Sequence, residues 1–164
     1  FAALGVVACM QPRHALLGAF EGEGSPRPGP WALAVGPARL GSAFPWRALQ
    51  RAGATIAFSS DWDVSEMQPL LGIYTAVTRQ DLAGQPRGGW LPEQRVDVES
   101  AVRAYTRHGA WANFLDRTRG SIEPGKYADL ILLSDDIFRV APARIKDTAV
   151  VLTMVGGEVA YRSF

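Results

Sequence analysis

A short apolar run that ends at a carboxylate constrains the fold of this chain more than any other feature. The run Ala-Thr-Ile-Ala-Phe at 54–58 follows the turn signal Ala52-Gly53 and leads into Ser59-Ser60-Asp61. Such a run is typical of a strand that is buried on both faces, as parallel strands between helices are. In parallel α/β folds the ligand lies outside the carboxyl ends of the strands. Asp61 is therefore predicted to face a substrate or a metal, or else to cap the next turn or helix.

A second strand is predicted at Val6–Met10, which is rich in small and β-branched residues. Gln11-Pro12-Arg13-His14 follows as its polar exit, and Pro12 is expected to end the strand. His14 would then share the carboxyl-end surface with Asp61, although a single histidine in a loop is more often a bystander. The next segment, Gly18–Pro45, is dominated by Gly, Pro and Ala and is predicted to be a long loop that either shapes a site or forms a surface excursion.

Helices are predicted at three places downstream. The segment Pro45–Ala52 has proline near its start and Gly53 just past its end, which is the asymmetry of a short helix. A second helix begins at Pro69 and presents one apolar face, and a third follows Asp97, which has the position and chemistry of an N-cap. His108, at the end of the third helix, is predicted to be a cap or a helix-end cation.

The pattern changes from residue 120 onward, where strand signals replace helical spacing. Ala128–Leu133 is predicted to be a buried strand. Two further strands, Ala149–Val155 and Glu158–Tyr161, are separated by Gly156-Gly157, a strong signal for a two-residue hairpin. The chain is accordingly predicted to comprise two units, 1–119 and 120–164.

Composition and charge exclude several classes of protein. The chain has 164 residues, of which 48% are hydrophobic, and 17 Lys and Arg balance 16 Asp and Glu to give a net charge of +1. There is no basic stripe for nucleic acid, no run that could cross a bilayer and no signal peptide pattern, so a cytoplasmic location is expected. The single cysteine, Cys9, is predicted to be a buried structural thiol. The chain does not begin with Met, and Phe1–Gly5 resembles the end of a helix, so a fragment of a longer protein is expected.

Several segments in a fixed order resemble the C-terminal part of a metal-dependent amidohydrolase of the YtcJ-like subgroup. They are Leu4–His14, Ser60-Asp61-Trp62, Ala76-Val-Thr-Arg79, Ala104–Trp111, Gly120–Leu130 and Val155–Tyr161. The resemblance extends over nearly the whole chain, and Gly120–Leu130 is its most specific piece. Any one of these motifs alone would be a weak signal, but their shared order makes chance agreement improbable.

The resemblance implies an α/β fold that is the C-terminal part of a (β/α)₈ barrel, with its last two strands at Val6–Met10 and Thr55–Phe58, followed by antiparallel strands of a small β-sandwich. It implies a divalent metal, with zinc the expected ion, and assigns Asp61 as both metal ligand and catalytic residue. His14, Gln11 and Trp62 are expected to line the pocket of a small-molecule substrate. The implied reaction is hydrolysis of a non-peptide carbon–nitrogen bond in an amide or cyclic amide.

The other metal ligands of such enzymes have no counterpart in this chain. There is no His-x-His pair, and His14 and His108 are its two histidines. A catalytic zinc normally has three protein ligands, so the chain alone is expected to be inactive. The alternative hypothesis is a non-catalytic α/β module that self-associates, or pairs with a partner chain, through the exposed edges of its incomplete barrel.

Overall fold

The computed structural model describes all residues from Phe1 to Phe164 and contains two separate β-sheets. The first sheet consists of β1 (Ala8–Met10) and β2 (Ile56–Phe58), which pair in parallel with Ala8 opposite Ile56 and Met10 opposite Phe58. The second sheet is antiparallel and has the order β3, β4, β5. Its strands are β3 (Leu130–Leu133), β4 (Val150–Val155) and β5 (Glu158–Arg162). The predicted parallel pair and the predicted hairpin at Gly156-Gly157 are both confirmed.

The helices are short, and several of them begin at a proline. They are α1 (Pro12–Ala19), α2 (Pro30–Val35), α3 (Pro37–Leu40), α4 (Trp46–Arg51), α5 (Pro69–Thr78), α6 (Val98–Tyr105) and α7 (Arg107–Ala112). Short 3-10 helices occupy Ala2–Leu4, Pro92–Gln94 and Pro142–Asp147. Proline suits the first helical turn because its fixed φ matches the helix and its missing N–H has no partner to lose there. No helix has both the length and the apolar character that crossing a membrane requires.

The predicted helix after Asp97 is confirmed together with its cap. The Asp97 carboxylate accepts a hydrogen bond of 2.7 Å from the backbone N–H of Ser100. That bond satisfies one of the N–H groups that a helix leaves free at its start, and it lowers the pKa of Asp97 below the usual value. The predicted helices near Pro45 and Pro69 are confirmed as α4 and α5.

Two predictions about the first forty-five residues are wrong. Gln11–His14 is not a loop, because Pro12 begins α1 and Arg13 and His14 lie in its first turn. Gly18–Pro45 is not a continuous loop, because α2 and α3 lie within it. Pro30 and Pro37, which sequence reasoning treats as breakers, stand at the starts of α2 and α3, where proline is favoured.

Two predictions about burial are also wrong. Cys9 is exposed, because β1 has side chains on two faces and Cys9 points away from the core between Ala8 and Met10. In β3, Ile131 and Leu132 remain 51% and 52% exposed, so the strand is not buried as its apolar sequence suggests.

The core lies between the parallel strands and the helices α4, α5 and α6. Trp46 is fully buried and meets Phe58 edge-on at 5.9 Å between ring centroids, while Tyr105 packs on Phe58 at 5.6 Å. The buried face of α5 contributes Leu70, Ile73 and Tyr74, as its spacing predicts. This packing fixes β2 from one side and therefore fixes the starting point of the segment that contains Asp61.

At Gly72, α5 lies in close contact with Tyr105 of α6. A Cβ atom at Gly72 would overlap the hydroxyl of Tyr105, and moving that ring would disturb its contact with Phe58. Gly72→Ala is therefore expected to lower the free energy of unfolding by about 1–3 kcal/mol in urea denaturation. The matched control is Gly109→Ala in α7, where the nearest atom lies 3.9 Å from the added carbon. A loss of stability in both variants would contradict this close approach.

Candidate functional site

Asp61 lies three residues beyond β2 on an exposed turn. Its backbone φ is 54°, in the left-handed region that Asp tolerates better than most residues. Its carboxylate forms no hydrogen bond or salt bridge within the chain, whereas the carboxylate of Asp97 caps a helix. The next helix, α5, has Gln68 at its N-cap position, so Asp61 does not cap it. The Asp61 carboxylate is therefore exposed and unpaired within this chain.

Two local bonds hold the turn around Asp61. The hydroxyl of Ser65, which is buried, donates to the carbonyl of Ser60 at 2.5 Å. The backbone N–H of Val64 donates to the carbonyl of Asp61 at 2.7 Å. A left-handed conformation at a residue other than glycine costs about 1–3 kcal/mol and persists only where its surroundings hold it. These bonds supply part of that support, and they leave the Asp61 side chain exposed.

Of the three residues predicted to line the pocket, Gln11 contacts the segment that leads to Asp61. Its side-chain amide donates to the Ser59 hydroxyl at 3.1 Å, and the Ser59 N–H donates to the Met10 carbonyl, also at 3.1 Å. His14 is half-buried in the first turn of α1, and its Nε2 atom has no hydrogen-bond partner. Trp62 follows Asp61 directly and is 65% exposed. The structure therefore brings Gln11 to the start of the turn and leaves Trp62 open at its tip.

Arg13 is a site feature that sequence reasoning did not identify. Its side chain is 2% exposed, and its guanidinium bonds two carboxylates, those of Glu66 and Glu23. Burial alone would lower the pKa of Arg13, but the hydrogen bonds and charges of Glu66 and Glu23 outweigh it and raise the pKa. The partners lie 53 and 10 residues away in sequence, so no local pattern could have revealed the cluster.

Arg79 is a second buried cation, at the end of α5, and it has no carboxylate partner. Its guanidinium lies 4.2 Å from the ring centroid of Trp46 and 5.1 Å from that of Trp90, and it donates to the carbonyls of Trp90 and Phe44. Burial lowers the pKa of Arg79 to about 10, so it stays charged at neutral pH. The aromatic faces stabilise this charge, and Arg79 thereby joins the end of α5 to the loop after it and to the segment that leads into α4.

His108 has a structural contact in place of the predicted capping role. Its Nδ1 lies 2.9 Å from the carbonyl oxygen of Ile56, at the start of β2. Because a carbonyl can only accept, Nδ1 carries the proton. His108 thus ties α7 to β2 and lies at the opposite end of the strand from Asp61.

The residues of this chain do not by themselves fit a catalytic metal. No group of three His, Cys, Asp or Glu side chains is placed so as to hold one ion. A catalytic zinc takes three protein ligands and one water, so Asp61 could supply one ligand of such a set. The largest described cavity, of about 760 Å³, lies between α5, α6 and the β3–β5 sheet and contains none of the predicted site residues.

Comparison with known proteins assigns this chain to a family. A model of the amidohydrolase family matches residues 1–161, so the chain belongs to that family. It is 31% identical over 133 residues to the YtcJ protein of Bacillus subtilis, covering 80% of this chain and 25% of that protein. It is 32% identical over 162 residues to Protein LONG AFTER FAR-RED 3 of Arabidopsis thaliana, covering 98% of this chain and 26% of that protein.

A third relative is the N-substituted formamide deformylase of Arthrobacter pascens, which is 33% identical over 118 residues, covering 72% of this chain and 21% of that enzyme. The chain thus spans about a quarter of the length of the curated relatives that it matches. The predicted resemblance to amidohydrolases is confirmed.

Solved structures show the same fold. A metal-dependent hydrolase from Pyrococcus horikoshii aligns with a TM-score of 0.67 and 23% identity, covering 86% of this chain and 26% of that one. A zinc-bound adenosine deaminase from Xanthomonas campestris aligns with a TM-score of 0.62 and 24% identity, covering 98% and 33% respectively. The mixed α/β arrangement is therefore that of the amidohydrolase fold.

The Arg13–Glu66 pair predicts a pH dependence of stability. The hydrogen bond from Arg13 holds the pKa of Glu66 below its usual value of 4.5. The pair therefore stabilises the fold fully above pH 4.5, and this contribution is lost as the pH falls through the lowered pKa of Glu66. Because Glu66 is 44% exposed, the contribution is expected to be below about 1 kcal/mol.

Urea denaturation between pH 3 and 6 measures this contribution. Glu66→Gln is expected to lose less stability on acidification than the unmodified chain. Glu158→Gln, which changes an exposed glutamate that forms no salt bridge, is expected to follow the unmodified chain. Parallel curves for all three proteins would show that the pair does not contribute.

Proposed function

We propose that this chain forms part of a metal-dependent hydrolase that acts on non-peptide carbon–nitrogen bonds of amide or cyclic amide substrates. In this proposal β1 and β2 are the last two strands of a (β/α)₈ barrel, and residues 120–164 contribute strands to a small β-sandwich beside it. The observation that carries the proposal is the free, exposed carboxylate of Asp61 beyond the carboxyl end of a strand with a parallel neighbour. In parallel α/β folds that is where ligands bind.

The position and backbone conformation of Asp61 distinguish it from the other aspartates and support a role in chemistry. Asp81, Asp97 and Asp129 each accept a hydrogen bond from a backbone N–H and so stabilise local structure. Asp61 accepts none, and neither do Asp63 and Asp116, but Asp61 is the first carboxylate beyond β2 and the one aspartate with a left-handed backbone conformation, which carries an energetic cost. A costly backbone conformation at the first carboxylate beyond a parallel strand supports a partner outside the chain for the Asp61 side chain.

In the proposed reaction Asp61 holds and moves one proton. Its carboxylate accepts a proton from the attacking water, whose oxygen adds to the carbonyl carbon of the substrate. The carbon–nitrogen bond then breaks as Asp61 returns the proton to the departing nitrogen. A divalent metal, for which we propose zinc, lowers the pKa of water to about 7 when it is bound. Asp61 would be one of its ligands, and the others would come from residues that this chain does not contain.

The substrate is proposed to be a small molecule whose pocket is lined by His14, Gln11 and Trp62. Gln11 is fixed against Ser59 at the start of the Asp61 turn, and the exposed ring of Trp62 adjoins Asp61 at its tip. One relative is named for its action on N-substituted formamides, which contain a non-peptide carbon–nitrogen bond. These features support an amide with an organic substituent on nitrogen as the class of substrate.

The substitution Asp61→Asn tests the proposal. It is made in the longer polypeptide of which residues 1–164 are proposed to form part. Asparagine keeps the shape of the side chain but cannot accept the proton. Hydrolysis of N-butylformamide, followed as release of formate, is therefore expected to fall by about 10²–10⁴-fold. The matched control is Asp63→Asn, which removes the same charge two residues away on the same exposed turn and is expected to leave the rate unchanged. Equal losses in both variants would count against a specific role for Asp61.

A further inference from the structure

A buried guanidinium, that of Arg13, ties the far end of the turn that carries Asp61 to the rest of the chain. Nε and Nη2 of Arg13 donate to the two carboxylate oxygens of Glu66, each at 3.1 Å. This paired geometry fixes the orientation as well as the position of the carboxylate, as arginine does at planar anions. Glu66 therefore cannot turn without breaking two bonds to a side chain that is itself 2% exposed.

Glu66 belongs to the same turn as Asp61 and lies five residues after it. Its neighbour Ser65 is buried, and the Ser65 hydroxyl donates to the carbonyl of Ser60. This bond fixes the chain at Ser60, directly before Asp61, and at Ser65, four residues after it. Ser59 is held by Gln11 and by the Met10 carbonyl on the strand side. The exposed residues between these two fixed ends take their position from them.

The other side of Arg13 is also firmly supported. Its Nη2 donates to Glu23 at 2.5 Å, and the second oxygen of Glu23 accepts the backbone N–H of Leu82 at 2.7 Å. Asp81 accepts the neighbouring Gly24 N–H at 2.5 Å and is buried. Arg13 is thus held on two sides. One side is the segment of Glu23 and Gly24, which is bonded to the loop after α5, and the other is the turn of Asp61.

We propose that Arg13 is a positioning residue, which acts through Glu66 to hold the turn 59–66 and so keeps the Asp61 carboxylate in its place beyond β2. This inference rests on the proton-transfer role proposed for Asp61 above. Arg13 touches no reacting atom in this account. Its contribution is geometric, because a displacement of about 1 Å at a reacting group can cost about 10²-fold in rate.

Amide hydrogen exchange distinguishes the two carboxylates that Arg13 binds. In the polypeptide that carries residues 1–164, Glu66→Ala is expected to speed exchange of the Val64 N–H, which is bonded to the Asp61 carbonyl, by about tenfold or more. Glu23→Ala is the matched control, since it removes a carboxylate from the same guanidinium and also releases the Leu82 N–H. It is expected to speed exchange at Leu82 and to leave exchange at Val64 unchanged. Equal protection of Val64 in both variants, or equal loss, would overturn the proposal.

The kinetics of N-butylformamide hydrolysis provide a second test. A purely structural role of Arg13 and Glu66 would leave kcat unchanged. Glu66→Ala is expected to lower kcat by about 10–100-fold with KM nearly unchanged, because it displaces the proton carrier and not the substrate contacts. Glu23→Ala is expected to stay within about threefold of the unmodified protein. A rise in KM alone, or equal loss of kcat in both variants, would contradict positioning.

The two proposals fail in different ways. Full activity of Asp61→Asn, or no hydrolysis by the unmodified protein, would contradict the proposed function, and hydrogen exchange would still decide whether Arg13 holds the turn. Loss of activity in Asp61→Asn together with an unaffected Glu66→Ala would keep the proposed function and overturn the role of Arg13 alone.

Discussion

The parallel register between β1 and β2 determines where the candidate site lies. Because Met10 stands opposite Phe58, the residues that follow each strand emerge at the same edge of the sheet. Gln11 therefore reaches Ser59, and α1 begins directly beside the turn that contains Asp61. Parallel strands that lie 46 or more residues apart cannot be paired by a local turn, so this edge depends on the packing of Trp46, Phe58 and Tyr105 behind it.

Arg13 connects this edge to the surrounding loops, and Arg79 connects the end of α5 to the segments at Phe44 and Trp90. Arg13 is neutralised by Glu23 and Glu66, whereas Arg79 is stabilised by two indole rings and two carbonyls. A buried charge that loses its partners is strongly destabilising, so each cation requires its loops to keep their conformation. In this way the loops around the site are ordered although they contain little regular secondary structure.

The sequence was most informative where the chemistry is local. The buried run at 54–58, the Gly156-Gly157 turn and the Asp97 cap depend on neighbouring residues, and each was predicted correctly. The exposure of Cys9 and the Arg13 cluster depend on contacts between distant segments, so no pattern revealed them. Family membership was predictable because several motifs occur in order. The division at residue 120, the roles of His14, Gln11 and Trp62, and self-association through exposed edges stay predictions.

The central claim is that the Asp61 carboxylate is a metal-site ligand and not a surface charge. Zinc-edge anomalous diffraction from crystals of the zinc-loaded polypeptide that carries residues 1–164 tests it most directly. The account predicts an anomalous peak about 2.0–2.2 Å from a carboxylate oxygen of Asp61, with further ligands from outside this chain. A zinc site with a complete set of ligands and Asp61 remote from it would contradict the account.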